Sequence, residues 1–129
     1  MYEITTDRRE NRLSLDLTGR MEVEEVSEAA DETIDRAEEL ERGFDIVNDL
    51  RGFRPPTPEA ATSIKRAQKE LVEMGVDRVI RVVDEDTSDV VVNAFERRSR
   101  DAGYSGETVD TMAEAETRLE NDEIDGYLD

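Results

Sequence analysis

Three glycines divide this chain into successive segments: Gly43, Gly75 and Gly103 each follow an amphipathic stretch, and each precedes an apolar residue. A glycine readily adopts the left-handed backbone that satisfies the last carbonyls of a helix, and the apolar residue after it packs back onto the final turn. Helix-to-strand junctions that recur in this way are typical of an α/β domain. The sequence therefore predicts that helices and strands alternate along the chain.

The strands are predicted from short apolar patterns. Alternating apolar residues at 2–6 and 13–17 indicate two strands joined as an antiparallel hairpin. The apolar runs at 44–50 and 79–83 are typical of parallel strands that helices cover on both faces. A further short strand is expected at 107–109.

The helices are predicted from apolar residues that recur every three or four positions. The first spans 21–42 and ends at Gly43. The second begins at Thr57-Pro58-Glu59, where the hydroxyl caps the helix and proline occupies its first position. The third is capped by Thr87 or Ser88 and ends at Gly103, and the last spans residues 112–120.

These elements predict an α/β fold with a mixed, mainly parallel sheet of about five strands, an N-terminal antiparallel hairpin and about four helices. Residues 1–120 are expected to form a single domain, and residues 121–129 an acidic C-terminal tail. The loops at the carboxyl ends of the parallel strands should lie along one edge of the sheet, where function is expected.

The charge balance constrains the cellular setting. The formal net charge is -18, from 35 acidic and 17 basic residues, and only Lys65 and Lys69 are lysines. Such a composition suits the cytoplasm of an extreme halophile, because molar salt shortens the Debye length to about 3 Å and screens self-repulsion. Low hydrophobicity with high charge is also the signature of disorder. The regular apolar spacing from Tyr2 to Leu119 favours a folded chain.

Several function classes lose support from the residues that are missing. The chain has no cysteine and no histidine, which removes thiolate nucleophiles, Cys-ligated metals and the commonest general base. It has no GxGxxG motif, Walker loop or nucleophile elbow, so no cofactor is expected. No apolar run approaches about 18 residues, and the negative charge disfavours nucleic acid and anionic membranes as partners. The expected localisation is cytoplasmic.

Four segments resemble the STAS domain in their order and spacing: RLSLDLTG at 12–19, GFDIVNDLRG at 43–52, GVDRVIRVV at 75–83 and AEAETRL at 113–119. The resemblance extends from Tyr2 to Leu119. More narrowly, the chain is similar to small stand-alone STAS-like proteins related to anti-sigma-factor antagonists. This resemblance implies a STAS-like fold and a non-enzymatic regulatory role, with a regulatory kinase or an anti-sigma-like protein as partner.

The family resemblance also implies a regulatory position. In the antagonists, a partner kinase phosphorylates a serine near the start of the helix that follows the GFDIVNDLRG-like strand, and this releases the bound partner. The equivalent stretch here, residues 49–63, lacks the serine at the expected position, and Thr57 is the nearest hydroxyl. A phosphate on Thr57 would lie at a helix N-terminus, although the Thr-Pro-Glu sequence already explains this residue as a cap.

The predicted partner-binding site is the loop after the predicted strand at 44–50, together with the start of the following helix: Asp49, Arg51, Gly52, Phe53, Arg54 and Thr57. Two arginines beside a helix N-terminus suit an anion or a partner's carboxylate. In the alternative interpretation, Asp49 and Arg51 pair with each other and Phe53 covers the edge of the core.

Two other charged clusters are interpreted as solvated helix surface. Hard cations prefer carboxylate oxygens, but no glycine turn or EF-hand spacing organises the acidic cluster, so no metal is predicted. The basic cluster is expected to pair with nearby carboxylates, with docking of an acidic partner as the alternative. The acidic cluster comprises Asp84, Glu85, Asp86 and Asp89, and the basic cluster comprises Arg97, Arg98 and Arg100.

Three functions follow in order of support. The first is a non-enzymatic regulatory module that binds another protein. The alternative is a small protein that binds an anion or a lipid headgroup, because STAS-like folds also resemble the SEC14 architecture. An enzymatic function would need Asp49 or a nearby acid as general base, and nothing in the sequence supplies its substrate. Monomer and homodimer both remain open.

The charge argument makes a direct prediction about salt. Because self-repulsion among the excess carboxylates is screened only at high ionic strength, we expect the fold to lose stability as KCl falls from molar to millimolar concentration. Circular dichroism across a KCl titration measures this change. A native spectrum that is equally stable without salt contradicts the prediction.

Overall fold

The computed structural model describes residues 1–54, 59–84, 97 and 105–119. Seven strands are present in this part of the chain, and they form two sheets. The strands are β1 (Tyr2–Asp7), β2 (Arg12–Leu17), β3 (Gly19–Arg20), β4 (Asp45–Asp49), β5 (Phe53–Arg54), β6 (Arg78–Val82) and β7 (Ser105–Val109).

The main sheet has five strands in the order β1-β2-β4-β6-β7. β1 pairs antiparallel with β2, with Tyr2 opposite Leu17, and the other neighbouring strands are parallel. The predicted mixed, mainly parallel sheet with an N-terminal hairpin is therefore confirmed. The two-residue strands β3 and β5 form a separate parallel ribbon that the sequence did not predict.

Two helices are described at full length, α1 (Val23–Ala37) and α2 (Ala60–Glu73), and residues 112–119 form a third helical segment. About four helices were predicted. The missing one falls on residues outside the described part of the chain, as do its caps Thr87 and Ser88, its end at Gly103 and the tail at 121–129, although Arg97 within it is helical. Of the described helices, none is long and apolar enough to span a membrane.

The predicted end of α1 is wrong, because the helix stops at Ala37 rather than continuing to residue 42. A tertiary contact explains the early end. The Asn11 side chain accepts a hydrogen bond from the Glu41 backbone N–H (2.9 Å) and donates one to the Glu41 carbonyl (3.1 Å), so this peptide cannot take part in the helix. Gly43 has the expected left-handed backbone (φ 90°), but it lies in a turn beyond the helix.

The predicted end of α2 is confirmed. Gly75 has φ 93°, its N–H donates to the carbonyl of Val72 (3.0 Å), and the N–H of Val76 donates to the carbonyl of Leu71 (3.0 Å). This pair of bonds is a Schellman motif, which satisfies two otherwise unpaired carbonyls. Val76 packs against the core cluster that contains Leu71, so the chain enters β6 directly from the helix end.

The main sheet is covered by helices on both faces. Alternate residues of a strand point to opposite sides, so β4 and β6 contribute to two core layers. On one face Leu13, Ile46 and Val79 form a cluster with Ala37 and Leu71 from the region of α1 and α2. On the other face the cluster comprises Val47, Ile80, Val82, Val109, Ala115 and Leu119.

Arg81 is a charged residue on the face of the sheet that α1 and α2 cover. Its relative exposure is 0%, and it occupies a central strand between Asn48 of β4 and Thr108 of β7. The guanidinium lies against Gly106, where an added Cβ would be 2.7 Å from Nη2 and 2.8 Å from Cζ. Glycine at this position therefore provides the space that the buried arginine occupies.

We expect Gly106→Ala to destabilise the fold by about 1–3 kcal/mol, the usual cost of overpacking a core, because the new methyl group displaces the Arg81 guanidinium. The measurement is a double-mutant cycle by urea unfolding at constant molar KCl, with Gly106→Ala made alone and together with Arg81→Met. The flexible, uncharged methionine should remove most of the cost. An equal cost in both backgrounds contradicts the contact.

Candidate functional site

The carboxyl ends of β2, β4 and β6 lie at one edge of the main sheet. Asp16 of β2 is the register neighbour of Asp49 at the end of β4, and Asp49 is the neighbour of Val82. Because β1 runs antiparallel to β2, Glu3 is opposite Asp16 at the same edge. We call this edge, with the loop of residues 50–54 that follows β4, the rim.

Asp49 and Arg51 form a two-pronged ion pair at the rim. Arg51 donates from Nε to Oδ1 of Asp49 (2.9 Å) and from Nη2 to Oδ2 (2.7 Å), and its backbone N–H also donates to Oδ1 (3.1 Å). The chain turns immediately after β4, with the Phe53 N–H donating to the Leu50 carbonyl (3.0 Å), and this turn brings the two side chains together. The alternative interpretation, in which these residues pair with each other, describes the observed geometry.

Because Arg51 pairs with Asp49, the neighbouring carboxylates of Asp49 and Asp16 have opposite pKa shifts. Burial raises the pKa of Asp49, but the hydrogen bonds and charge of Arg51 outweigh burial, so this pKa lies below its ordinary value. Asp16 is exposed, and partial desolvation together with the negative charges of Asp49 and Glu3 raises its pKa. The pKa of Arg51 is raised in turn, first by its hydrogen bonds to Asp49. Asp49 is thus held ionised, whereas ionised Asp16 is disfavoured.

The other predicted loop residues have separate roles. Gly52 has φ 76°, and its carbonyl accepts a hydrogen bond from the Gly19 N–H (3.0 Å). Phe53 is 1% exposed and packs with Met21 and Leu50, so it covers the edge of the core, as in the alternative interpretation. Arg54 is exposed at the end of β5.

Arg20 is a rim residue that the sequence analysis missed. β3 and β5 pair in parallel, with Gly19 beside Phe53 and Arg20 beside Arg54, and both arginines are exposed. We call this two-arginine strand pair the arginine ribbon. Strands of two residues are too short to show a periodic pattern. The sequence signal that remained was the position of Arg20 directly after Gly19, at the end of a predicted strand.

Several predicted positions are not brought into the rim by the described structure. Thr57, Glu85, Asp86, Asp89, Arg98 and Arg100 lie outside the described residues. Asp84, just past β6, and helical Arg97 are both exposed. Across the described ranges, no group of three or more Asp, Glu, His or Cys residues is arranged to hold a metal ion.

A cavity of about 80 Å³ lies between the main sheet and the two helices α1 and α2. Its wall is mostly aliphatic and aromatic, and four polar residues contribute to it: Thr33, Asn48, Gln68 and Arg81. Thr33 donates from Oγ1 to the Ala29 carbonyl (2.7 Å). In the part of the chain that the structure describes, Asn48 Oδ1 and Gln68 Oε1 are buried with no hydrogen-bond partner.

The sequence analysis did not single out these cavity residues. Asn48 lies within the run 44–50, and Arg81 lies within the run 79–83, where both were treated as part of a buried strand. A polar residue in the middle of such a run was the available signal. Gln68 belongs to a helix rich in polar residues, and its direction toward the sheet follows only from the packing of α2.

The opposite pKa shifts predict opposite mutational effects at neutral pH. A lowered folded-state pKa stabilises the fold above the unfolded value of about 3.9 and loses this effect as pH falls through the folded pKa. Asp49→Asn should therefore cost about 1 kcal/mol at pH 7 and progressively less below about pH 4. Asp16→Asn should stabilise, because ionised Asp16 opposes folding above its raised pKa, and this gain should vanish at acid pH.

Urea unfolding from about pH 3 to pH 8 at constant ionic strength measures both effects. Asp35→Asn, an exposed carboxylate of α1, is the matched control for the general benefit of removing one negative charge. At pH 7 the free energy of unfolding of Asp16→Asn should be higher than that of the Asp35→Asn control, and that of Asp49→Asn should be lower. If both variants have the same unfolding free energy as Asp35→Asn at every pH, the opposite pKa shifts assigned to Asp16 and Asp49 are contradicted.

Comparison with known proteins identifies the fold. No protein-family model matches the chain, and no curated protein sequence gives a significant match. Among solved structures, that of the Bacillus cell fate determinant SpoIIAA in the phosphorylated form is similar, with a TM-score of 0.56 and 14% sequence identity. The similarity covers 92% of this chain and 99% of that chain. The five-stranded sheet and its helices therefore form a STAS-like fold, as the four sequence segments predict.

Proposed function

We propose that this chain is a non-enzymatic regulatory module that binds a protein partner through the rim, and that it works in a halophilic cytoplasm. The fold supports a regulatory role by analogy only, because the similar structure is of a protein described as a cell fate determinant. The observation on which the proposal depends is the arginine ribbon. It presents Arg20 and Arg54 side by side at the surface of a chain whose net charge is -18.

The arginine ribbon indicates what the partner presents. Arg20 and Arg54 lie on directly neighbouring strands and bring two positive charges close together at the surface. A guanidinium group recognises carboxylate and phosphate through two parallel hydrogen bonds. The partner surface should therefore contribute Asp, Glu or a phosphorylated side chain.

The Asp49–Arg51 ion pair supports this function by fixing the loop. It closes the turn after β4, and the Gly52 carbonyl then bonds to Gly19 of the ribbon. A loop that is already ordered loses less conformational entropy when it binds a partner. In this proposal Asp49 and Arg51 shape the binding surface, Phe53 anchors it to the core, and Arg54 with Arg20 contacts the partner.

The same ion pair argues against Asp49 as a catalytic base. An effective general base has a pKa near the working pH, whereas Arg51 lowers the pKa of Asp49 and occupies both of its oxygens. The chain also lacks histidine and cysteine. Phosphorylation of Thr57 by a partner kinase remains a prediction from the family resemblance.

The alternative function, binding of an anion or a lipid headgroup, receives limited support from the cavity. Pockets for drug-sized ligands have volumes of roughly 300–1,000 Å³. The cavity between the sheet and the two helices is about 80 Å³, too small for a lipid headgroup. It therefore favours a smaller ligand, and it does not replace the rim as the proposed partner-binding site.

The test uses the tagged chain as bait in molar KCl, with lysate of the source organism, and then calorimetry with the purified partner. We expect the double variant Arg20→Ala/Arg54→Ala to weaken binding at least about tenfold, because buried interface arginines are frequent hot spots. Arg8→Ala and Arg66→Ala are matched controls, since each removes an arginine that pairs with a carboxylate elsewhere, Glu39 and Asp31 respectively. Equal affinity for wild type and double variant, or equal weakening by the controls, contradicts the proposal.

A further inference from the structure

We propose that the cavity between α1, α2 and the main sheet binds a small neutral molecule with an apolar body and a hydrogen-bond donor, such as a short-chain alcohol. This inference concerns a different site from the rim and does not depend on the partner-binding function. It is based on two unsatisfied acceptors in the cavity wall, the buried charge of Arg81 and the size of the cavity.

The two acceptors belong to opposite walls of the cavity. Asn48 lies on β4 in the centre of the sheet, and Gln68 lies on α2; each is 6% exposed. Buried side-chain amides in folded proteins nearly always have hydrogen-bond partners, because an acceptor removed from water without a donor is destabilising. Within the described residues, Asn48 Oδ1 and Gln68 Oε1 have none. A hydroxyl inside the cavity would satisfy one of them, because it has a single hydrogen to donate.

The charges around the cavity select a neutral ligand. A cationic donor such as an ammonium group would be buried near the positive charge of fully buried Arg81, without water to screen the repulsion. The charge of Arg81 would attract an anion, but an anion without a hydrogen to donate would leave the Asn48 and Gln68 oxygens unsatisfied. A neutral hydroxyl avoids both penalties and donates a hydrogen bond to one of the two acceptors.

The size and surface of the cavity select the rest of the molecule. A volume of about 80 Å³ corresponds to two or three water molecules, or to an organic molecule of four to six non-hydrogen atoms. Most of the wall is apolar, including Leu15, Ala30, Phe53 and Ile64. Water at that wall would lack the two to four polar partners that buried waters need. A short-chain alcohol fits this wall, because its alkyl body packs against the apolar side chains and its hydroxyl lies at the Asn48 or Gln68 amide.

The test is a titration of the full chain in molar KCl, followed by two-dimensional ¹H–¹⁵N NMR. The probe is 1-butanol, and its isomer diethyl ether is the matched control, because it has the same atoms but no donor. We expect saturable shifts of the Asn48 and Gln68 side-chain amide signals with 1-butanol and at least tenfold weaker binding of diethyl ether. Absence of saturable shifts with 1-butanol, or equal binding of the two isomers, overturns the proposal.

Two variants locate the binding. Gln68→Met removes one acceptor at similar volume, so it should reduce the preference for 1-butanol over diethyl ether while still admitting both. Ala30→Leu fills the cavity and should abolish binding of both isomers, with Ala67→Val as a smaller replacement if the leucine disturbs folding. Unchanged 1-butanol binding in a folded, cavity-filled variant overturns the assigned site. A ligand-free crystal structure with waters on Asn48 and Gln68 that 1-butanol does not displace also overturns it.

Discussion

The structure depends on burying both faces of two short strands, β4 and β6. Successive residues of each strand enter different core layers: Ile46 and Val79 pack toward α1 and α2, whereas Val47 and Ile80 pack toward the helix at 112–119. This requirement places helices on both sides of the sheet. The ends of the central strands are then the part of them that solvent and partners can reach most easily. The rim is therefore a consequence of the core, and Leu50 and Phe53 of its loop are themselves buried.

The small number of basic residues is used to join elements that are distant in sequence. Arg66 of α2 pairs with Asp31 of α1, and Arg78 at the start of β6 pairs with Glu107 of β7. Arg118 pairs with Glu107 as well. Exposed pairs of this kind are weak individually and are screened by salt, whereas Arg78, at 15% side-chain exposure, is partly protected. Because carboxylates far outnumber arginines, screening relieves more repulsion than it removes attraction.

The sequence predicted those parts of the fold that have a local signal. The hairpin and the parallel strands follow from apolar patterns, and the end of α2 follows from Gly75 and Val76. The end of α1 does not follow from a local signal, because the side chain of Asn11, which is distant in sequence, forms two hydrogen bonds with the backbone of Glu41. The arginine ribbon was invisible because its strands have two residues each. Among the candidate site residues, the Asp49–Arg51 pair and buried Phe53 match the alternative interpretation, and their predicted role in partner binding stays a prediction.

Arg81 illustrates why the remainder was inaccessible to sequence reasoning. Alone, an arginine in an apolar run suggests an exposed edge strand, since a buried charge is costly. Its burial is made possible by Gly106 on the neighbouring strand, which leaves space for the guanidinium. Neither residue predicts the other until the parallel pairing of β6 and β7 brings them together. Burial of a polar residue is thus a property of the pair of strands rather than of one segment.

The register of β4 keeps the rim and the cavity apart even though they use consecutive residues. Asn48 points to the helix-covered face that contains the cavity, and Asp49 points to the opposite face, beside Asp16 at the rim. A slip of one residue would exchange the two faces and move the Asp49 carboxylate into the apolar layer, away from Arg51. The same slip would turn Ile46 and Val47 away from the core layers in which each now packs. Because burial of both faces opposes it, the two sites stay in fixed relation on a single strand.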